Sequence, residues 1–229
     1  MKYISIILLI ITFFSCSKEK IEKSIIEETN WNQVWESNFE PVVVDDFVSV
    51  RAEFHKPEKN PAHEIIITPK MSFGTGHHAT TYMMIEQMRD LDFKDKEVFD
   101  FGTGTGILAI LAHKMGAGRV EAIDVDEWSI DNARENFDRN GCTKCEVTLS
   151  TIIPNKHFDI ILANINRNVL LQYASSLNAA TKDAAYLLLS GLMIDDEGDI
   201  TKEFMQQGFR LVKQSQRNNW ICLLFAKGS

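Results

Sequence analysis

This sequence is short of the features that would place it in several large classes. It has four cysteines in 229 residues, Cys16, Cys142, Cys145 and Cys222, too few and too scattered for a disulfide framework. It has no excess of positive charge: the formal net charge is −8 and the isoelectric point is near 5.3. Wrapping of nucleic acid by net charge is not expected on that balance, nor is a direct nucleic-acid partner, although a local basic patch stays compatible with it. Its leading apolar run, Ile4 to Phe14, is too short to span a bilayer as a helix. Repeats and low-complexity tracts are absent. So are the Gly-Lys-Ser/Thr of a P-loop and the His-Glu-x-x-His of a zinc site.

What is present is 45% hydrophobic residues, enough to bury one full core. The expected organisation is an N-terminal segment, residues 1–30, ahead of a single domain, 31–229. The segment, "MKYISIILLIITFFSCSKEK", has an apolar run of signal-peptide length followed by Ser15-Cys16. "FFSC" resembles a bacterial lipobox, with Cys16 the residue that would be lipidated. The same run also fits an Ile-rich strand or the altered start of a longer gene. A membrane contact is expected only if the lipobox is genuine.

Two strand-like runs, "FVSVRAEF" and "HEIIITP", flank the turn-forming "HKPEKNPA". Strands and helices then alternate. "ATTYMMIEQMRDL" reads as helix, "EVFDF" as strand, "ILAILAHKMG" as helix, "RVEAIDVD" as strand, "EWSIDNARENFDRNG" as helix and "CEVTLS" as strand. "FDIILANI" is an almost unbroken apolar strand, followed by helix "VLLQYASSLNAATK", strand "AYLLLSG", helix "DITKEFMQQG" and a closing hairpin "FRLVKQSQ"/"WICLLFAK". Apolar strands alternating with helices predict an α/β, doubly wound, mostly parallel sheet covered on both faces.

Such sheets bind ligands outside the carboxyl ends of their strands. There, "DFGTGTG" puts Gly102, Gly104 and Gly106 between a strand and a helix, where the backbone can approach a ligand closely. The spacing is not the dinucleotide fingerprint, and Asp100 is a poor neighbour for a pyrophosphate. A zwitterionic ligand with a cationic centre matches better. The glycines also fit a tight turn without a ligand. About twenty residues on, Asp124 and Asp126 end the next strand, where a carboxylate accepts ribose hydroxyls. Asp124 is the better placed, and Asp126 is suited to capping the following helix. Asn164 ends the fourth strand as either a turn former or a site residue. Upstream, "PKMSFGTGHHATT" carries a second glycine stretch and two histidines. Adjacent His77 and His78 tend to point apart and have no partner motif nearby, so no metal is expected. Cys142 and Cys145 read as free thiols, and Met83, Met84, Met88 and Trp220 as core.

"DFGTGTG" with Asp124 resembles the first motif and following acidic residue of class I S-adenosylmethionine-dependent methyltransferases. "FGTGHHATT" resembles the "FGTGxHxTT" signature of the ribosomal protein L-eleven (L11) methyltransferase family, matching at Pro69, Phe73, Gly74, Thr75, Gly76, His78, Thr80 and Thr81. "NWNQVWE", "FDIILANI" and "LLLSGL" are also similar to that family, from about Asn30 onward. The resemblance implies a seven-stranded Rossmann-like sheet, S-adenosylmethionine as cofactor and amino groups of ribosomal protein L11 as acceptors. It implies cofactor contacts at Thr81, Gly102, Asp124 and Asn164. Gly104 and Gly106 would complete the lower loop, and Phe73, Gly74, Thr75, Gly76 and His78 would approach from above. Asn164 is the candidate catalytic residue, beside the sulfonium where an amine must arrive. Cytoplasmic work is implied, because the cofactor is made there. Two departures stand out. About thirty residues occupy the place of the family's N-terminal substrate-gripping domain, and Asn166 replaces an expected leucine. A methyltransferase for another protein or a small molecule, and a binding module without turnover, remain the competing readings.

Overall fold

Val- and Ile-rich runs alternate with helix-forming ones through most of this chain, and the sheet is built from that alternation. The computed structural model describes residues 40–58, 61–68 and 79–228. Within them, β4 (Glu97–Phe101), β5 (Arg119–Asp124), β6 (Cys145–Leu149), β7 (Phe158–Asn164) and β8 (Thr181–Met193) lie parallel. The strands β9 (Phe209–Arg217) and β10 (Trp220–Lys227) form the expected hairpin. The seven strands are ordered β6-β5-β4-β7-β8-β10-β9, with β10 antiparallel to both its neighbours. The chain winds outward one way through β4, β5 and β6 and the other way from β7, so the strand order reverses between β4 and β7. A crevice opens at such a point.

Helices α1 (Ala79–Met88), α2 (Ile107–Lys114), α3 (Glu127–Arg139), α4 (Arg167–Ala180) and α5 (Glu197–Gln206) connect the strands. Neighbouring residues on a strand face opposite ways, and the core is accordingly double. Val98 joins Met83, Met84, Met88 and Ile110 in one buried cluster, while Phe99 joins Phe158, Phe204 and Phe225 in the other. The three methionines are core as expected. Trp220 is half-buried against the first cluster.

A second, three-stranded sheet holds β1 (Val42–Val44), β2 (Val48–Ala52) and β3 (His63–Ile67). β1 runs antiparallel to β2, and β2 parallel to β3. β1 was not visible in the sequence reading. Three valines are too short to show a period, and they become a strand only because the turn with Asp45 at φ 49° returns the chain onto β2.

Within "RVEAIDVD" the strand ends at Asp124 and Asp126 caps the next helix, as expected of the two carboxylates. One boundary differs from expectation. α4 ends at Ala180 rather than reaching Lys182. Thr181 takes extended angles, φ −96° and ψ 127°, and its hydroxyl donates to the Leu177 carbonyl at 2.6 Å. A β-branched residue favours that exit. The β7–β8 register then jumps from Phe158↔Thr181 to Ile160↔Tyr186, with Ala184 at φ 57° inside the irregular stretch.

Candidate active site

The glycine loop occupies the turn from β4 to α2, at the reversal of strand order. Gly102 and Thr103 both donate their amides to the Ile123 carbonyl, at 2.9 and 3.1 Å, and Gly106 donates to Thr103 O at 2.9 Å. Gly102, Gly104 and Gly106 have φ of 76°, 55° and 79°, a region L side chains avoid. Space is also short. A Cβ on Gly102 would run into the Ile165 side chain, and one on Gly106 would lie 2.7 Å from a Phe137 ring carbon.

Asp124 closes β5 directly opposite that loop. Its Oδ2 accepts the Gly104 amide at 2.8 Å, and its Oδ1 accepts those of Val125 and Asp126 at 2.8 and 3.1 Å. A carboxylate has about four lone-pair positions, so three are engaged by backbone. Asp124 therefore organises the loop as well as offering an acceptor at its rim. Asp126 is committed elsewhere: its carboxylate accepts the Trp128 and Ser129 amides at the start of α3.

Asp100, on the last turn of β4 before the loop, was read from sequence only as a negative neighbour. It is 1% exposed. Its Oδ2 accepts the Thr103 hydroxyl at 2.6 Å, whereas its Oδ1 is buried with no donor in good hydrogen-bond geometry, the Ala109 amide being the near backbone N–H that favours the charged form. Burial pushes its pKa up from the usual 3.8 to about 7, against the Thr103 hydrogen bond and with help from the Asp124 charge. The folded chain thus keeps a proton that the unfolded chain loses above pH 4. Stability is then full below that pH and falls as pH rises through about 7, by up to about 4 kcal/mol. We expect urea midpoints to fall between pH 5 and pH 8, and the fall to shrink markedly in Asp100→Asn. Parallel slopes in the two proteins would contradict this.

On the other side of the reversal, Asn164 ends β7. Its carboxamide Nδ2 donates to the Thr81 hydroxyl at 3.1 Å, which turns the carboxamide oxygen away from α1. Thr81 is 1% exposed. Residues separated by 83 positions are thus brought together. Ile165 follows, its amide bonded to Ser190 O at 3.1 Å and its side chain against Gly102. Asn166 stands two residues beyond Asn164, at the start of α4. It caps α4, accepting the Val169 amide at 3.1 Å, which gives the departure from leucine a physical role.

Sequence reading missed the surroundings of Asp124. Val125 is 69% exposed and Ile152 76% exposed, while Ser150 N donates to Asp124 O at 2.9 Å. Apolar surface thus lies open next to the loop rim. It also missed Asn136, buried on α3 and bonded to the loop. Phe73, Gly74, Thr75, Gly76 and His78 lie outside the described residues, as do Cys16 and the segment 1–30. Among the described residues no group of three or more His, Cys, Asp or Glu is arranged to hold a metal, and no helix is long and apolar enough to cross a membrane. Cys142, Cys145 and Cys222 are free thiols.

Comparison with known proteins narrows the reading. The family model described as "Ribosomal protein L11 methyltransferase (PrmA)" matches residues 5–228. The protein of that name from Porphyromonas gingivalis is 42% identical over 206 residues, 88% of this chain and 71% of the relative. Its namesake from Bacteroides thetaiotaomicron is 39% identical over 203 residues, 87% and 72% of the two chains. The crystal structure of ribosomal protein L11 methylase from Lactobacillus delbrueckii subsp. bulgaricus superposes with a TM-score of 0.77 at 26% identity, covering 83% of this chain and all of that one. A putative RNA methyltransferase from Pyrococcus horikoshii, 18% identical with a TM-score of 0.57 over 65% of this chain and 83% of that one, shares the fold alone. With the glycine loop, Asp124 and Asn164 set around the strand reversal, a family model matched over residues 5–228 and a relative 42% identical over 88% of this chain, the chain belongs to the ribosomal protein L11 methyltransferase family.

Proposed function

We propose that this protein transfers methyl groups from S-adenosylmethionine to amino groups of ribosomal protein L11, at lysine side chains, the N-terminal amine or both. One observation carries the reading: the strand ends flanking the reversal bear the glycine loop with Asp100, the Asp124 carboxylate, and Asn164 bonded to Thr81.

The residues suit that cofactor. The buried, unpartnered oxygen of Asp100 beside the loop matches an ammonium group, since a lone buried acceptor is costly until a donor reaches it. Asp124 offers ribose hydroxyls the rim of its carboxylate, where they would share Oδ2 with the Gly104 amide. Val125 and Ile152 offer apolar cover for a flat base. The family resemblance adds Phe73, Gly74, Thr75, Gly76 and His78 to these surroundings. When bound, S-adenosylmethionine supplies a sulfonium-activated methyl group for in-line displacement.

The chain's own part is positional. Thr81 fixes the Asn164 carboxamide, and the carboxamide oxygen accepts an N–H of the incoming amine, aiming its lone pair. Desolvation in the crevice favours the neutral, nucleophilic amine without a dedicated base. The family match takes in the apolar residues 5–30, which favours family sequence over an export signal there and a cytoplasmic place of work. The decisive experiment is label transfer from S-adenosylmethionine to purified ribosomal protein L11. Cofactor binding without transfer would mean another acceptor, and absence of binding would overturn the proposal. Thr81→Val should lower kcat by about tenfold through the lost hydrogen bond, while Thr81→Ser stays within about twofold; equal kinetics of the two variants would refute the Thr81 role.

A further inference from the structure

α3 carries three asparagine positions at helical spacing, Asn132, Asn136 and the capping Asn140, and two of them act as a substitute strand. Asn140 Oδ1 accepts the Ile66 amide at 3.0 Å, and its Nδ2 donates to the Ile66 carbonyl at 2.6 Å. One helical turn away, Asn136 Oδ1 accepts the Thr68 amide at 2.8 Å. The outer edge of β3 is thereby satisfied by carboxamides. Glu135 adds a third hold, accepting the Thr68 hydroxyl at 2.7 Å.

Asn136 does something that Asn140 does not. It is wholly buried, and its Nδ2 donates to the Thr105 carbonyl in the glycine loop at 2.8 Å, with a longer bond to Asn132 Oδ1 at 3.3 Å. The Thr105–Gly106 peptide unit is therefore held at both ends, its oxygen by Asn136 and its N–H by Thr103 O. Gly104 and Gly106, either side of Thr105, sit at φ 55° and 79°. Glycine crosses easily between left- and right-handed angles, so release of the carbonyl would leave only the Gly106 N–H bond to Thr103 O holding this peptide against rotation. Gly106 also lets α3 come near: a Cβ there would lie 3.3 Å from the Ala133 Cβ.

We infer that Asn136 is a positioning residue for the methyl-transfer site, one that locks the glycine loop into its ligand-accepting shape by bonding the Thr105 carbonyl and fastens that loop to the end of β3 through Thr68. The inference rests on the cofactor reading above and deepens it. Asn136 acts through the loop and does not touch the reacting atoms.

The test uses matched substitutions. Asn136→Asp and Asn140→Asp each keep the acceptor that serves β3 and each lose the Nδ2 donor. Only the first loses a bond to the loop. Calorimetric titration of the full chain with S-adenosylmethionine should show affinity about tenfold or more weaker in Asn136→Asp, the scale of one buried donor lost. Asn140→Asp should stay within about twofold of wild type, although both variants lose thermal stability. Steady-state kinetics should place the Asn136 effect in the KM for cofactor and leave the KM for the protein acceptor unchanged. Equal affinities in the two variants, or equal losses, would overturn the inference and reduce Asn136 to a fold residue. Should the buried carboxylate prevent folding, Asn136→Ser carries the same comparison without a charge, against Asn140→Ser. A wild-type protein that fails to bind the cofactor would sink the functional proposal itself, which separates the two failures.

Discussion

Asp124→Ala is expected to weaken S-adenosylmethionine binding by at least about 100-fold, the scale of two hydrogen bonds to a charged group. The loss has two sources acting together. The ribose hydroxyls would lose their acceptor, and the amides of Gly104, Val125 and Asp126 would lose the carboxylate that now gathers them. Because Gly104 belongs to the loop, the second effect loosens the cradle for the rest of the ligand. Asp124→Asn should fall between, since it retains one acceptor oxygen without the charge. Titration of the three proteins under identical salt should give that order. Binding by the alanine variant within about threefold of wild type would remove Asp124 from the site.

Gly191→Ala should be the most damaging single methyl in the described chain. Gly191 lies in β8 at φ 80°, and an added Cβ would stand 2.5 Å from the Ile165 carbonyl oxygen, 2.7 Å from its carbon and 2.9 Å from its nitrogen. All three are backbone atoms, so no rotamer change can clear the space. The left-handed conformation costs about 1–2 kcal/mol for a residue with a side chain, and the clash adds strain of similar or greater size. A total of about 3 kcal/mol or more would lower Tm by roughly 10 °C for a chain of this size. Gly141→Ala is the natural control, with φ 63° and nothing within 4 Å of its added Cβ. It should lose only the conformational share. The damage at Gly191 is also directed. Ile165 is the residue after Asn164, so any shift that relieves the clash also moves the carboxamide to which the proposed function gives the incoming amine. Surviving Gly191→Ala protein should therefore show a lower kcat than its folded fraction explains. Similar melting temperatures for the two alanine variants would refute the steric argument.

How much of this was legible in the sequence depended on whether a residue's partners were near it in the chain. The parallel sheet announced itself, because "FDIILANI" and "EVFDF" have to be buried on both faces. The helix cap at Asp126 and the strand-end position of Asp124 were legible for the same reason: each is fixed by its immediate neighbours. Asp100 was seen as a charge but not as a buried acid, since its burial depends on strands that sequence order does not bring alongside. Asn164 stood out as a polar residue ending an apolar strand, and Thr81 only through family resemblance; their bond spans 83 positions and no local pattern encodes it. Asn136 was passed over entirely. A polar residue on a helix reads as a solvated face, and only the edge of β3, 68 positions upstream, makes it interior. Its one available signal was the recurrence at 132, 136 and 140, four residues apart on a single side of α3.

The placement of β10 has a consequence for how this protein is made. The strand synthesised after β9 lies between β8 and β9 and is bonded to both. Until residues 220–227 have left the ribosome, β9 has no place on the sheet, and the flank of β8 at Leu187, Leu188 and Leu189 is without its partner. Synthesis and assembly therefore run in different orders, and insertion of β10 between its two neighbours is the closing step. An uncovered flank of that kind is a template for wrong pairing. A chain cut short before Trp220 should therefore aggregate where the full-length chain stays in solution.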